Sequence, residues 1–275
     1  MDSIFINKNC QTRSGWKIAL TIFVFLALTI GVNLVFMVDN AMIGNIIQCI
    51  CLMLSVFIFW KLFERRPIRE MGLINIRSGY RDLIIGLVFG SISMSSVFLL
   101  LLTTGSITLE KSLYKPNFSI SLMSGLILFI FVGLDEEIFT RGYCMSVLSQ
   151  TGRKWMPLIG SSILFALMHS MNPHMSLLSY INLFLVGLLL AYMFIKSKNI
   201  WITIGYHITW NYFEGSVFGF QVSGENINSV YTVNTPANNL ITGGQFGPEA
   251  GIMVTIVIML GFLYMWKFYK PIKGN

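Results

Sequence analysis

Residues 129–143 read FIFVGLDEEIFTRGY, and they set Asp135, Glu136, Glu137 and Arg141 inside a run that otherwise suits lipid. A charge at the centre of a membrane helix costs about 2.5–3.5 kcal/mol on insertion scales, so four charges in seven residues need a reason. Glu137 and Arg141 are four apart, one helical turn, with the acid N-terminal to the base, the better order for an ion pair. Glu136 points about 100° away from Glu137 on a helix and is left for another task. A rim arginine neutralising an acid accounts for one carboxylate, not three.

The surrounding chain decides that this is a membrane protein. Of its 275 residues 55% are hydrophobic and only 11% charged, where a soluble domain carries about 25% charged residues. Eight apolar runs approach spanning length, at roughly 16–38, 42–63, 83–103, 119–148, 155–170, 177–195, 200–213 and 251–268. The first is too long for a signal-peptide core and no small-residue cleavage site follows it. With a cytoplasmic N-terminus and eight crossings, all of the 19 basic residues except Lys111 and Lys115 fall on or toward the cytoplasmic side, including Lys8, Lys17 and Lys273. Trp16, Trp60, Trp155, Trp201 and Trp266 flank these clusters as an interfacial belt. The net charge of +7 is therefore topology and not a nucleic-acid surface. The expected fold is an all-α polytopic bundle of about eight transmembrane helices, both termini cytoplasmic, forming one domain over 1–275. Oligomeric state is not legible.

The stretch 64–82, ERRPIREMGLINIRSGYRD, reads as the longest cytoplasmic loop, lying on an anionic leaflet. GLVFG (86–90) and GSVFG (215–219) place small residues four apart, as close helix packing requires. Residues 214–250, rich in Gly, Asn and Thr, read as a long irregular outer loop. The four cysteines, Cys10, Cys49, Cys51 and Cys144, read as small apolar residues; Cys144, two turns past Glu137, is expected within reach of the site.

Polar groups inside the bilayer carry the chemistry, because lipid offers them no partner. Beyond Glu136 they are His169, one turn after Phe165, and His207, one turn before Asn211. A lone buried His is more often a satisfied core group than a catalyst, but two of the three histidines lie in membrane helices beside buried acids. His174 falls in an outer turn and reads as pocket lining. Three chemistries fit. Glu136 could activate water, with an imidazole holding it and an Asn amide and second His donating to an oxyanion. Glu136, His169 and His207 could bind zinc, although the HExxH helix is absent. The third is an ion pathway, which does not need Asn and His on one face.

EEIFTR (136–141), FALMH (165–169) and HITWN (207–211) resemble, in order and spacing, the three motifs of the CAAX-protease and bacteriocin-processing (CPBP, Abi) family of intramembrane endopeptidases. The similarity extends over about 119–225, and NPHMSLLSYINLFLVGLLLAYMF and FEGSVFGFQVSG look like the bacterial branch. The resemblance implies that Glu136 is the general base, that His169 helps hold the water, and that His207 and Asn211 form the oxyanion hole. Glu137 and Arg141, with Phe165, would support them. It implies no cofactor, zinc being the less favoured option, and a membrane-associated peptide or protein substrate in a bacterial plasma membrane. The rival functions are a non-proteolytic regulator or bacteriocin-immunity protein built on the same bundle, and a transporter. Counting places His169 at the outer end of a short helix while Glu136 is mid-membrane. The helix is therefore expected to end inside the protein, with 170–176 as irregular backbone lining a cavity.

Overall fold

The computed structural model describes residues 4–6, 12–236 and 239–271; Lys8, Cys10 and Lys273 lie outside them. The described residues form α1 (Ser14–Phe36), α2 (Ala41–Phe59), α3 (Ile76–Thr103), α4 (Ser121–Glu137), α5 (Met145–Ser149), α6 (Met156–Met168), α7 (Leu177–Ser197), α8 (Trp201–Asn211) and α9 (Ile252–Lys267). A π-helical segment, Ile138–Cys144, fuses α4 and α5 into one rod, so the eight expected runs appear as eight rods. The only paired strands among the described residues are Thr108–Leu109 and Val233–Asn234, which tie two loops together. The fold is all-α.

Four rods are long and apolar enough to cross a membrane: Ser14–Phe36, Ala41–Glu64, Ile68–Thr103 and Leu177–Ser197. The helices Met156–Met171 and Ile252–Lys267 are apolar but shorter. The rods alternate in direction. At one end Lys17 bonds to Glu64 (2.6 Å) and Gln150 (2.9 Å), joining the start of α1 to the ends of α2 and α5. At that same end Tyr269 bonds to Asp82 (2.8 Å), Asn199 to Asp82 (2.6 Å), and Lys196 to the Met265 carbonyl (2.8 Å). This is the end that carries the basic clusters. The opposite end holds the strand pair and the loops around it.

The 64–82 stretch is tucked under the bundle more closely than a leaflet-bound loop would be. Met71 is fully buried, the Trp60 indole donates to the Arg66 carbonyl (2.7 Å), and the Trp201 indole donates to the Ile74 carbonyl (2.9 Å). α3 begins within this stretch, at Ile76. Trp60 is thus turned inward, whereas Trp155 and Trp266 face outward as a belt requires. Residues 214–250 are mostly irregular, but α8 runs on through a π-helical segment, Tyr212–Val217, before the loop begins.

The axle is α8, buried almost all round. Close approach of α3 makes this possible. A Cβ on Gly86 would lie 2.2 Å from the Ile202 carbonyl oxygen, one on Gly90 2.3 Å from that of Tyr206, and one on Gly205 2.5 Å from that of Leu83. GLVFG is a packing motif as its spacing predicts. GSVFG is not: Gly215 faces Val222, and Gly219 (φ +75°) turns the chain against the Tyr231 carbonyl. The two main apolar clusters lie on either side of α8. One contains Met94, Val97, Leu189 and Ile258, the other Leu52, Val56, Phe139 and Tyr143.

Changing Gly86 or Gly90 to Ala should destabilise the detergent-solubilised protein by about 1–3 kcal/mol, because backbone cannot retreat from the added methyl. Gly44→Ala, where a Cβ meets nothing within 4 Å, should be neutral or stabilising. Thermal melts of the three variants check this, and unshifted G86A and G90A melts would contradict the packing.

Candidate active site

Three rods and one carbonyl build the site near the middle of the bundle. α4 ends on the three acids, and the π-helical segment starts at Ile138, directly after Glu137. π turns of this kind are frequent at functional sites. Glu137 and Arg141 are both fully buried, and Arg141 Nη1 donates to Glu137 Oε1 at 3.0 Å. The guanidinium also donates to Thr140 Oγ1 (2.6 Å) and, from Nη2, to the Gly187 carbonyl on α7 (3.1 Å). Its carbon lies 4.5 Å from the centre of the Phe165 ring on α6.

Glu137 Oε1 has a second partner, Nδ1 of His207 on α8, at 3.0 Å. An ionised carboxylate only accepts, so Nδ1 carries the proton and Nε2 faces the other way. Nε2 lies 3.9 Å from Glu136 Oε2. That gap is too long for a hydrogen bond but can be bridged by one water. The Glu136 side chain is 18% exposed, while that of Glu137 is sealed. Asp135 turns toward α2, where its carboxyl meets the Cys49 thiol.

Phe165 lies between the two histidines, its ring centre 5.0 Å from that of His169 and 6.0 Å from that of His207. His169 Nδ1 is 2.9 Å from the Phe165 carbonyl. A carbonyl can only accept, so the proton is again on Nδ1 and Nε2 is left as an acceptor. α6 ends at Met168, a single 3-10 turn (His169–Met171) follows, and the irregular chain beyond it places His174, Met175 and Ser176 along a cavity of about 400 Å³. The helix thus ends at the site, but the chain beyond it is not enclosed as the mismatch in depth predicts: Met171 is 93% exposed, and the cavity is lined by 174–176 and not by the site residues. Asn211 is buried one turn beyond His207, and a second π-helical segment starts at Tyr212.

Contacts therefore join Glu136, Glu137, Arg141, Phe165, His169 and His207, and Asn211 is carried to them by its place on α8. Sequence reasoning missed Thr140, the Gly187 carbonyl and both π-helical segments; Thr140, one residue from Arg141, carried the only readable signal. Cys144 is fully buried in the apolar core, near enough to Arg141 to feel its charge. Among the described residues no three His, Cys, Asp or Glu side chains come together as a metal set, so Glu136, His169 and His207 do not assemble the alternative zinc set.

Breaking a buried pair from one side leaves a bare charge. Arg141→Met should cost about 3–5 kcal/mol of stability, and the double replacement E137Q/R141M should cost less than R141M alone. Denaturant unfolding in detergent checks this; a double variant less stable than the single one would contradict it.

Compared with known proteins, residues 118–213 match the family model described as Type II CAAX prenyl endopeptidase Rce1-like. No curated protein matches the chain significantly. The matched span contains all three motifs and every residue of the site described above. Over that span this integral membrane protein is similar to the Rce1-like, CAAX-protease family.

Proposed function

We propose that the protein is an intramembrane endopeptidase in which Glu136 activates water. Its carboxylate takes a proton from a water that His169 Nε2 helps to hold, and the hydroxide adds to the scissile carbonyl carbon. The oxyanion so formed is met by the Asn211 amide and by His207 Nε2–H. With its Nδ1–H donating to Glu137 Oε1, His207 donates from Nε2–H as the doubly protonated ring. Collapse of the intermediate breaks the C–N bond, and Glu136 returns its proton to the leaving amine. Glu137, Arg141 and Phe165 are positioning residues that fix the His207 ring.

One observation carries this assignment. Of three consecutive acids, Glu136 has a partly open side chain facing the His207 Nε2 edge, whereas Glu137 is sealed in an ion pair and Asp135 faces α2. A general base contributes about 10²–10⁴ in rate and an oxyanion donor about 10²–10³. The similarity to that family over 118–213 favours a peptide bond in a membrane-associated peptide or protein, and the region that carries the chemistry is 119–225. The basic end is assigned to the cytoplasm, both termini inside, because the positive-inside rule orients the alternating rods that way; the bacterial plasma membrane rests on the resemblance to the bacterial branch.

The test uses proteoliposomes containing a farnesylated CaaX peptide, its unprenylated counterpart and a pool of apolar peptides, with products read by mass spectrometry. Glu136→Gln should lower kcat/KM by about 10²–10⁴ and Asn211→Ala by about 10²–10³, with the melting temperature of E136Q unchanged. An E136Q protein that still cleaves at the wild-type rate would refute the assignment.

A further inference from the structure

The end of the bundle opposite the basic clusters holds a second pair of acids that the proposed chemistry does not use. Glu214, in the π-helical segment after α8, is fully buried. The Trp210 indole faces it, yet neither carboxylate oxygen receives a well-aligned hydrogen bond. Its charged neighbour is Glu249, 9% exposed, in the 3-10 turn before α9. The Ser223 hydroxyl donates to Glu249 Oε2. Asn182 on α7 fixes the main chain around Glu249, donating to the carbonyls of Glu249 (2.8 Å) and Gly251 (2.9 Å).

A main-chain oxygen approaches the same place. Above Gly247 (φ +105°), a Cβ would lie 1.9 Å from the Gln221 carbonyl oxygen and 3.4 Å from Glu214 Oε1, so only glycine leaves room between them. The Gln221 side-chain oxygen is also buried and without a partner. The stretch 214–250 contains no Lys, Arg or His. A carboxylate buried with both oxygens unpaired beside a second acid is strongly unfavourable unless positive charge neutralises it, and buried polar atoms without partners call for a missing ion or water.

We propose that Glu214, Glu249, the Gln221 main-chain oxygen and Ser223 Oγ form a binding site for a divalent cation of the Ca²⁺ class. Every candidate ligand is a hard oxygen, with no His or Cys among them, which selects Ca²⁺ or Mg²⁺ over zinc or copper. An irregular loop offering carboxylate, carbonyl and hydroxyl oxygens suits the larger, geometrically tolerant Ca²⁺, whereas Mg²⁺ demands a near-ideal octahedron. Two carboxylates balance its charge. The ion would staple the end of α8, the 221–223 loop and the start of α9, and it would do so three residues beyond Asn211.

The experiment uses the purified full-length protein, stripped with EGTA, and reads binding without reference to proteolysis. Calorimetric titration with CaCl₂ should give one ion per chain with Kd between about 10⁻⁵ and 10⁻³ M, and Ca²⁺ should raise the melting temperature relative to EGTA. MgCl₂ should bind about tenfold more weakly or worse. Glu214→Gln and Glu249→Gln should each weaken Ca²⁺ binding about tenfold or more, while Glu110→Gln, an acid at the same end, should leave it unchanged. Removing a buried charge without changing shape should leave E214Q folded, with a melt in EGTA at or above that of the wild type. No saturable Ca²⁺ binding by the wild type, with identical melts in Ca²⁺ and EGTA, would overturn the proposal in favour of a proton shared by the two acids. Undiminished binding by both E214Q and E249Q would overturn it as well.

Discussion

The constraint on which the rest depends is the sealed contact between Glu137 and Arg141. Both side chains are wholly removed from solvent, so each is tolerable only because the other is present. The guanidinium spends its remaining reach on Thr140, the Gly187 carbonyl and the face of Phe165, which ties α4, α6 and α7 to one charge. The carboxylate spends its second interaction on His207, which adds α8. Four helices are thereby held around one ion pair, and the orientation of a histidine ring follows from it. Glu136, one residue away, is left facing that ring. The difference between the two glutamates is one of neighbours, not of chemistry.

Backbone geometry makes the arrangement possible. α8 can be buried on all sides because Gly86, Gly90 and Gly205 let α3 approach backbone to backbone. Both helices that supply the polar residues pass into π-helical geometry directly after them, at Ile138 and at Tyr212. α6 ends where its histidine is needed, and the chain beyond it is free to line a cavity. Two of the three π-helical segments among the described residues thus lie at the polar residues, the third, Trp60–Glu64, closing α2 at the basic end.

Much of this was legible in the sequence, and for physical reasons. Apolar runs and the placement of basic residues are long-range signals in composition, so the eight rods and their alternation could be read directly. The one-turn spacing of Glu137 and Arg141 predicts their pair because helix geometry alone sets it. The partner of His207 was not legible: grouping it with Asn211 follows from helix spacing, whereas its Nδ1 bond to Glu137 crosses from one helix to another. For Cys144 the spacing gave nearness to Arg141 but not burial, since two turns along a helix says nothing about which side faces the core. GSVFG shows the limit of a motif without context, its glycines serving a turn where those of GLVFG serve packing. The acids Glu214 and Glu249 are thirty-odd residues apart in a loop with no periodicity, and nothing in the sequence brings them together.

The central claim is that Glu136 acts on water and is not itself the nucleophile, and isotope labelling tests it most directly. In a single turnover in ¹⁸O water, the account predicts one ¹⁸O in the new carboxyl group of the peptide product and none in the protein. Label recovered in the Glu136 side chain, or an acyl group trapped on it, would contradict the account.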